Sequence, residues 1–229
     1  MLEMNGFNFN LIIVGECEAG KSNIVYRWSN PLAYNWQSVL GPTLWINGAT
    51  RIDQVNNMPI RINIWEFPGK ESLRDHFGRL YRYADAFVLV YDITSRDSFE
   101  KCQMRLESAK RRGNVKGMFV LMGNKSDLER ERQVSFEEGR SLAEEYGSKF
   151  FEISAKTGEN VNYTIKYIEK EMVERREIED EKRRIRRLQE KKRILGLEQK
   201  AKSHQEMVLL VVVVTGIFLC IVGYHTFSY

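Results

Sequence analysis

The sequence predicts a doubly wound α/β domain followed by a charged helical stalk and an apolar C-terminal segment. Three observations predict it. Short apolar runs alternate with amphipathic stretches up to about Ile168, the signature of strands alternating with crossover helices. Residues Glu169–Glu206 are mostly charged and rich in helix formers, and Met207–Tyr224 carry no charge.

The elements follow in order. "FNFNLIIV" reads as a strand, then a Gly-bounded turn and a helix near Ser22–Ser29. "TLWINGATRI" and "PIRINIWEF" read as two strands joined by the turn "NNMP". "AFVLVYDI" and "GMFVLMGN" are continuous apolar runs, as strands buried on both faces should be, and a charged helix lies between them at Ser98–Arg112. "SFEEGRSLAEEYG" predicts a helix with Ser135 as N-cap and Gly147 at C′; the strand "KFFEIS" and a last helix from Glu159 complete the domain. The expected division is 1–172 for the domain, 173–206 for the stalk, 207–224 for the apolar segment and 225–229 for a short tail.

In the stalk, Ile178, Ile185, Leu188 and Leu195 have a/d-like spacing, but Glu181 and Lys192 interrupt the seam, so a single solvated helix is expected rather than a coiled coil. Gly196 is a candidate break point. Fully helical, the stalk would span on the order of 40–50 Å. The apolar run rises ~27 Å as a helix, near the thickness of a thin bilayer. Its Val, Leu, Ile and Phe residues favour insertion by several kcal/mol, roughly 0.3–0.6 each. With only "HTFSY" after it, a buried core helix is the poorer reading and a post-translationally inserted, single-pass tail anchor is expected.

Composition excludes several classes. A net charge of +4 is too mild to argue a nucleic-acid partner, and the basic run Lys182–Arg193 lacks interleaved aromatics. Three scattered cysteines form neither a disulfide framework nor a metal-ligand pattern, which favours a reducing compartment. The N-terminus "MLEMNGFNFN" has no secretory-signal pattern.

Three motifs carry chemistry. "GECEAGKS", Gly15–Ser22, is G-x-x-x-x-G-K-S/T between a strand and a helix. Its backbone N–H groups can cradle phosphates, Lys21 can reach the β- and γ-phosphates, and the Ser22 hydroxyl can ligate Mg²⁺. "GNKSD", Gly123–Asp127, and "ISAKTG", Ile153–Gly158, each end a predicted strand. A carboxylate at Asp127 can accept hydrogen bonds from guanine N1–H and the 2-amino group, which adenine lacks. Asn124 and Lys125 would brace the loops, the Ala155 N–H would meet guanine O6, and Lys156 would cover the ring.

With these motifs in this order, the chain resembles a small GTPase of the Ras superfamily, and the Rab branch most of all. "VYDIT", "NKSD", "FFEISAKTGENV" and the Trp of "INIW" carry the likeness over roughly residues 8–172. The resemblance implies a six-stranded, mostly parallel sheet with flanking helices, GTP/GDP and Mg²⁺ at the strand C-termini, and two switch segments that order around a γ-phosphate. It implies nucleotide contacts from Gly15, Glu18, Ala19, Gly20, Lys21, Ser22, Asn23, Gly69, Asn124, Lys125, Asp127, Ser154, Ala155 and Lys156. Mg²⁺ would be held by Ser22, Thr43 of "GPTL" and Glu66; Thr50, inside the predicted hairpin, is a poorer candidate than Thr43. Tyr34 or Trp36 would place an aromatic ring over the base. Lys21, Gly69 and Lys70 would occupy the catalytic positions. Effectors, exchange factors and GTPase-activating proteins are the implied partners, in vesicle trafficking.

The sequence departs from that pattern at "WEFPGKE". The family's magnesium-associated Asp is Glu66, and the water-orienting Gln is Lys70. An ammonium donates but does not accept, so slow hydrolysis is expected. Cys17 and Glu18 stand where small residues are usual, and a carboxylate beside phosphates is tolerable only if it points to solvent. The chain also ends "TFSY", without the prenylated cysteines of Rab proteins, so the apolar segment takes their place as the anchor, facing the cytosol from the endoplasmic reticulum or another secretory membrane. The rival reading is a pseudo-GTPase acting as a constitutive tether or adaptor.

Overall fold

The computed structural model describes residues 6–30, 47–69, 83–111 and 117–226; for residues 108–111, 201, 214 and 216–226 it describes the backbone alone. Tyr34, Trp36, Thr43 and Lys70 therefore lie outside the described residues. The chain divides into two compact units, Met1–Arg175 and Arg176–Tyr229.

The first unit holds six strands: β1 (Phe7–Gly15), β2 (Asn47–Val55), β3 (Met58–Glu66), β4 (Ala86–Asp92), β5 (Met118–Asn124) and β6 (Lys149–Glu152). They form one sheet in the order β2-β3-β1-β4-β5-β6, parallel except for the β2–β3 hairpin. The expected sheet is thus present. The hairpin turn is tighter than "NNMP": Asn56 and Asn57 are its two loop residues, with φ of 50° and 63°. Positive φ at both positions is the type I′ geometry that suits strand twist, and Asn tolerates it, so Met58 and Pro59 belong to β3.

Helices α1 (Lys21–Ser29), α2 (Arg96–Arg111), α3 (Phe136–Glu145) and the start of α4 (Val161–Thr226) cover the sheet. Period-two alternation sorts the two faces. Leu11, Ile13, Ile60, Ile62, Ile64, Val88 and Val120 face one core layer, which Trp28 of α1 and Ile165, Ile168 and Met172 of α4 close. Phe87, Leu89 and Leu121 face the other, with Phe99, Cys102 and Leu106 of α2 and Leu142 of α3. Every residue of β4 is buried, which explains its unbroken apolar run. Ser135 is the expected N-cap of α3, and the structure adds a full capping box: Ser135 Oγ accepts from the Glu138 N–H while Glu138 accepts from the Ser135 N–H. Ser135→Ala is expected to lower stability by about 1 kcal/mol, measured by urea denaturation.

α4 starts at Val161 rather than Glu159, because Asn160 is left-handed with φ of 57°. A short 3₁₀ helix after β5, Ser126–Glu131, has no counterpart in the sequence pattern. In the second unit the helix runs through Gly196 without a break; a Cβ there would meet nothing. Ile178, Ile185, Leu188 and Leu195 stay about half exposed. Pairs such as Arg183–Glu179 at 3.2 Å line the helix surface, each worth a few tenths of a kcal/mol. Among the described residues no helix is long and apolar enough to cross a membrane. Of the run 207–224, the described side chains are those of 207–213 and 215.

Candidate functional site

The site assembles at the C-terminal ends of the parallel strands, where the sheet order reverses around β1. β1 delivers Gly15 into a loop, and α1 starts at Lys21 with Gly20 as its N-cap. Gly20 has φ of 87°, and a Cβ on it would come within 2.2 Å of Asn124 Nδ2, so glycine is required on both counts. Glu18 is also left-handed, with φ of 64°, and it is exposed, as is Cys17. The carboxylate at Glu18 thus meets the condition set by the sequence. Ala19 is buried, and Asn23 is partly buried in the first turn of α1.

Lys21 is 5% exposed, and its Nζ donates to the Glu16 carbonyl at 2.7 Å. Burial pushes its pKa below the ordinary lysine value, with the Glu66 carboxylate opposing that shift. Beside it, Ser22 Oγ donates to Glu66 Oε1 at 2.6 Å. Glu66 ends β3 fully buried, so the longer side chain fits where a shorter carboxylate was expected. A hydroxyl and a carboxylate oxygen converging next to a buried ammonium form a donor set that suits Mg²⁺ and a polyphosphate. Phe67 N–H donates to the Ile13 carbonyl at 3.0 Å, which ties this end of β3 to β1. At Gly69 a Cβ would approach Cys17 N to 2.3 Å, so Gly69 lies against the phosphate loop.

The second half of the site comes from β5 and β6. Asn124 is buried at the end of β5; its Nδ2 donates to the Ala19 carbonyl at 2.8 Å and its Oδ1 accepts from the Ala155 N–H at 2.9 Å. One amide therefore clamps the phosphate loop to the loop after β6. Ser154, fully buried, donates through Oγ to Asp127 Oδ1 at 2.5 Å. Lys156 Nζ lies 4.0 Å from Asp127 Oδ2 and is half exposed.

Two supports were not visible as motifs. Asp92, at the end of β4, pairs with Lys125 Nζ at 2.5 Å and accepts from Thr94 N–H and Oγ1, fixing the lysine head. Lys125 itself is left-handed, with φ of 68°. Arg27 of α1 donates to the Ala155 and Lys156 carbonyls at 2.5 and 2.6 Å. The structure thus brings together Gly15, Glu18, Ala19, Gly20, Lys21, Ser22, Asn23, Glu66, Gly69, Asn124, Lys125, Asp127, Ser154, Ala155 and Lys156 around one end of the sheet.

Comparison with known proteins agrees with this geometry. A model of the Ras family matches residues 10–174. The chain is 38% identical over 159 residues to the Ras-related protein RHN1 of Nicotiana plumbaginifolia, covering 69% of this chain and 78% of that protein. A matching fold, the assembled loops and these two alignments over most of the chain lead to one conclusion: it belongs to the Ras family and carries the GTPase domain of GTP-binding switch proteins.

Proposed function

We propose that this chain is a membrane-anchored, Rab-like switch that binds GTP and GDP with Mg²⁺ and recruits effectors in membrane trafficking. The observation that carries the reading is the pair of clamps around the base position. Asn124 ties the phosphate loop to the loop after β6, and Ser154 orients the Asp127 carboxylate; the Ala155 N–H donates to Asn124 Oδ1 here and would have to turn from it to meet guanine O6. Lys21 would supply phosphate charge, Ser22, Glu66 and Thr43 would hold Mg²⁺, and the Gly69 N–H would sense the γ-phosphate. When bound, Mg²⁺ supplies charge neutralisation between the phosphates. Lys70 in place of an amide would leave the attacking water poorly oriented, which supports slow turnover.

The Rab assignment rests on "VYDIT", "NKSD" and "FFEISAKTGENV". Effector recruitment is supported by an exposed face of the edge hairpin, where Trp65 of β3 and Ile52 of β2 lie in register with Gly48 and Arg61. Membrane attachment is supported by the uncharged run Met207–Tyr224 beside a basic stalk, on the cytosolic face of a secretory membrane.

The test is titration of the detergent-purified full chain with fluorescent GDP and GTP analogues, with and without Mg²⁺. Submicromolar, magnesium-dependent binding is expected. If neither nucleotide binds to a folded chain, the switch reading fails and a constitutive adaptor remains. In the same protein, Lys70→Gln is expected to speed single-turnover GTP hydrolysis by about ten- to a hundredfold.

A further inference from the structure

We propose that Arg105 is a positioning residue for the switch, holding the Gly69 turn against the phosphate loop and so favouring the γ-phosphate-bound form. The inference rests on the nucleotide-switch reading above. α2 places Cys102 and Leu106 in the core, and Arg105 beside them is a guanidinium with only 11% of its side chain exposed. A desolvated charge persists only with partners, and among the described residues this one meets partners on two different segments. Its Nη2 pairs with Glu16 Oε1 in the phosphate loop and donates to the Gly69 carbonyl at 3.2 Å. Glu16 is also 3.8 Å from Lys101 Nζ, so its carboxylate sits between two cations of α2.

Gly69 is held where no other residue fits. A Cβ on it would lie 2.3 Å from Cys17 N and 2.7 Å from Cys17 Sγ. One guanidinium therefore ties the loop that cradles phosphate to the glycine whose N–H is expected to report the third phosphate. A turn already drawn in spares GTP the ordering cost of drawing it in, whereas GDP gains nothing from it. The nucleotide state would be transmitted to α2 through the same contact, since coupling is reciprocal.

The experiment measures Kd for GDP and for a non-hydrolysable GTP analogue on the full chain in detergent with Mg²⁺, together with thermal midpoints. The proteins are wild type, Arg105→Met, Arg105→Lys and Glu16→Gln. Arg105→Met is expected to lower the preference for the GTP analogue over GDP about tenfold while GDP affinity stays within about twofold. Arg105→Lys, which keeps a charge for Glu16, is expected to recover part of that preference. If both nucleotides weaken equally, or the ratio does not move, Arg105 only supports the fold and the proposal is overturned. Should Arg105→Met fail to fold, an unchanged ratio in both Arg105→Lys and Glu16→Gln overturns it, and a reduced ratio supports it. A wild type that binds neither nucleotide removes the switch reading and this inference together; a wild type that discriminates alongside unchanged variants removes this inference alone.

Discussion

Asp127→Ala is expected to weaken binding of both GDP and GTP by about a hundred- to a thousandfold. The carboxylate would accept two hydrogen bonds from guanine, and hydrogen bonds to a charged group contribute about 1.5–3 kcal/mol each. Two of them give roughly 3–6 kcal/mol, and at about 1.4 kcal/mol per decade the lower half of that range is two to three decades. The lower half applies because 14% of the side chain is exposed and water partly replaces the base. Pre-organisation strengthens the expectation: Ser154 Oγ, 2.5 Å away, already fixes the carboxylate in orientation. The fold should suffer little, losing about 1 kcal/mol for the unsatisfied Ser154 hydroxyl. Asp127→Asn separates recognition from general damage. The amide keeps an acceptor for N1–H but presents a donor to the base's position 2, which suits the carbonyl of xanthine and not the amino group of guanine. Competition of GDP and XDP against a fluorescent nucleotide checks this. Wild-type-like GDP affinity in Asp127→Ala would place the base elsewhere.

Much of this site was legible because its pieces are contiguous in the chain. Gly15–Ser22 is a single stretch, and the backbone it needs is written into Gly20 and Lys21 themselves. Asp127 and Ala155 could be paired only because each ends a strand that the apolar runs already located. The supports were not legible for the opposite reason. Arg27 and Ala155 are 128 positions apart, and Glu16 and Arg105 are 89 apart. Nothing in the residue types distinguishes Arg105 from any other arginine on an amphipathic helix. Its meaning comes from the parallel crossover that sets α2 beside the loop after β1. Gly196 shows the limit of local punctuation. Its cost in a helix interior is about 1 kcal/mol, which the strong helix formers on both sides outweigh. The α/β class of the domain is insensitive to such local errors because alternation of apolar runs is a property of the whole domain, whereas turn boundaries depend on single residues such as Asn56 and Asn57.

The other large effect concerns stability. Arg51→Ala is expected to destabilise the domain by about 3 kcal/mol, because it leaves a buried carboxylate short of its closer cation, with the half-exposed Lys166 as the other. Glu169 in α4 is fully buried, with Arg51 Nε at 3.0 Å, Lys166 Nζ at 3.2 Å and the Trp28 indole N–H at 3.4 Å. Burial raises its pKa above the ordinary glutamate range despite those cations. Arg51 also donates to the Trp28 carbonyl at 2.7 Å and pairs with Asp53, so one guanidinium joins β2, α1 and α4. The cost should come from the under-compensated buried charge rather than from the lost contact. Arg51→Met combined with Glu169→Leu, which removes both charges and keeps the volume apolar, should therefore recover most of it. Urea denaturation of the two single variants and the double variant decides the matter, and a double variant as unstable as the sum of the singles would refute the argument. Acid adds an independent check. Hydrogen bonds from Lys166, the Gln54 amide and Arg51 hold Asp53 down to about 2 against the opposing effect of its partial burial. A depressed carboxylate stabilises above its unfolded pKa and loses that contribution as pH falls through the folded value. Asp53→Asn should thus reduce the loss of stability between about pH 4 and pH 2, leaving the part that Glu138 contributes. Glu169, whose shift has the opposite sign, contributes instead a fall in stability as pH rises above the ordinary glutamate range, so Glu169→Gln should remove that fall and leave the acid arm, which Asp53 shares with Glu138, in place.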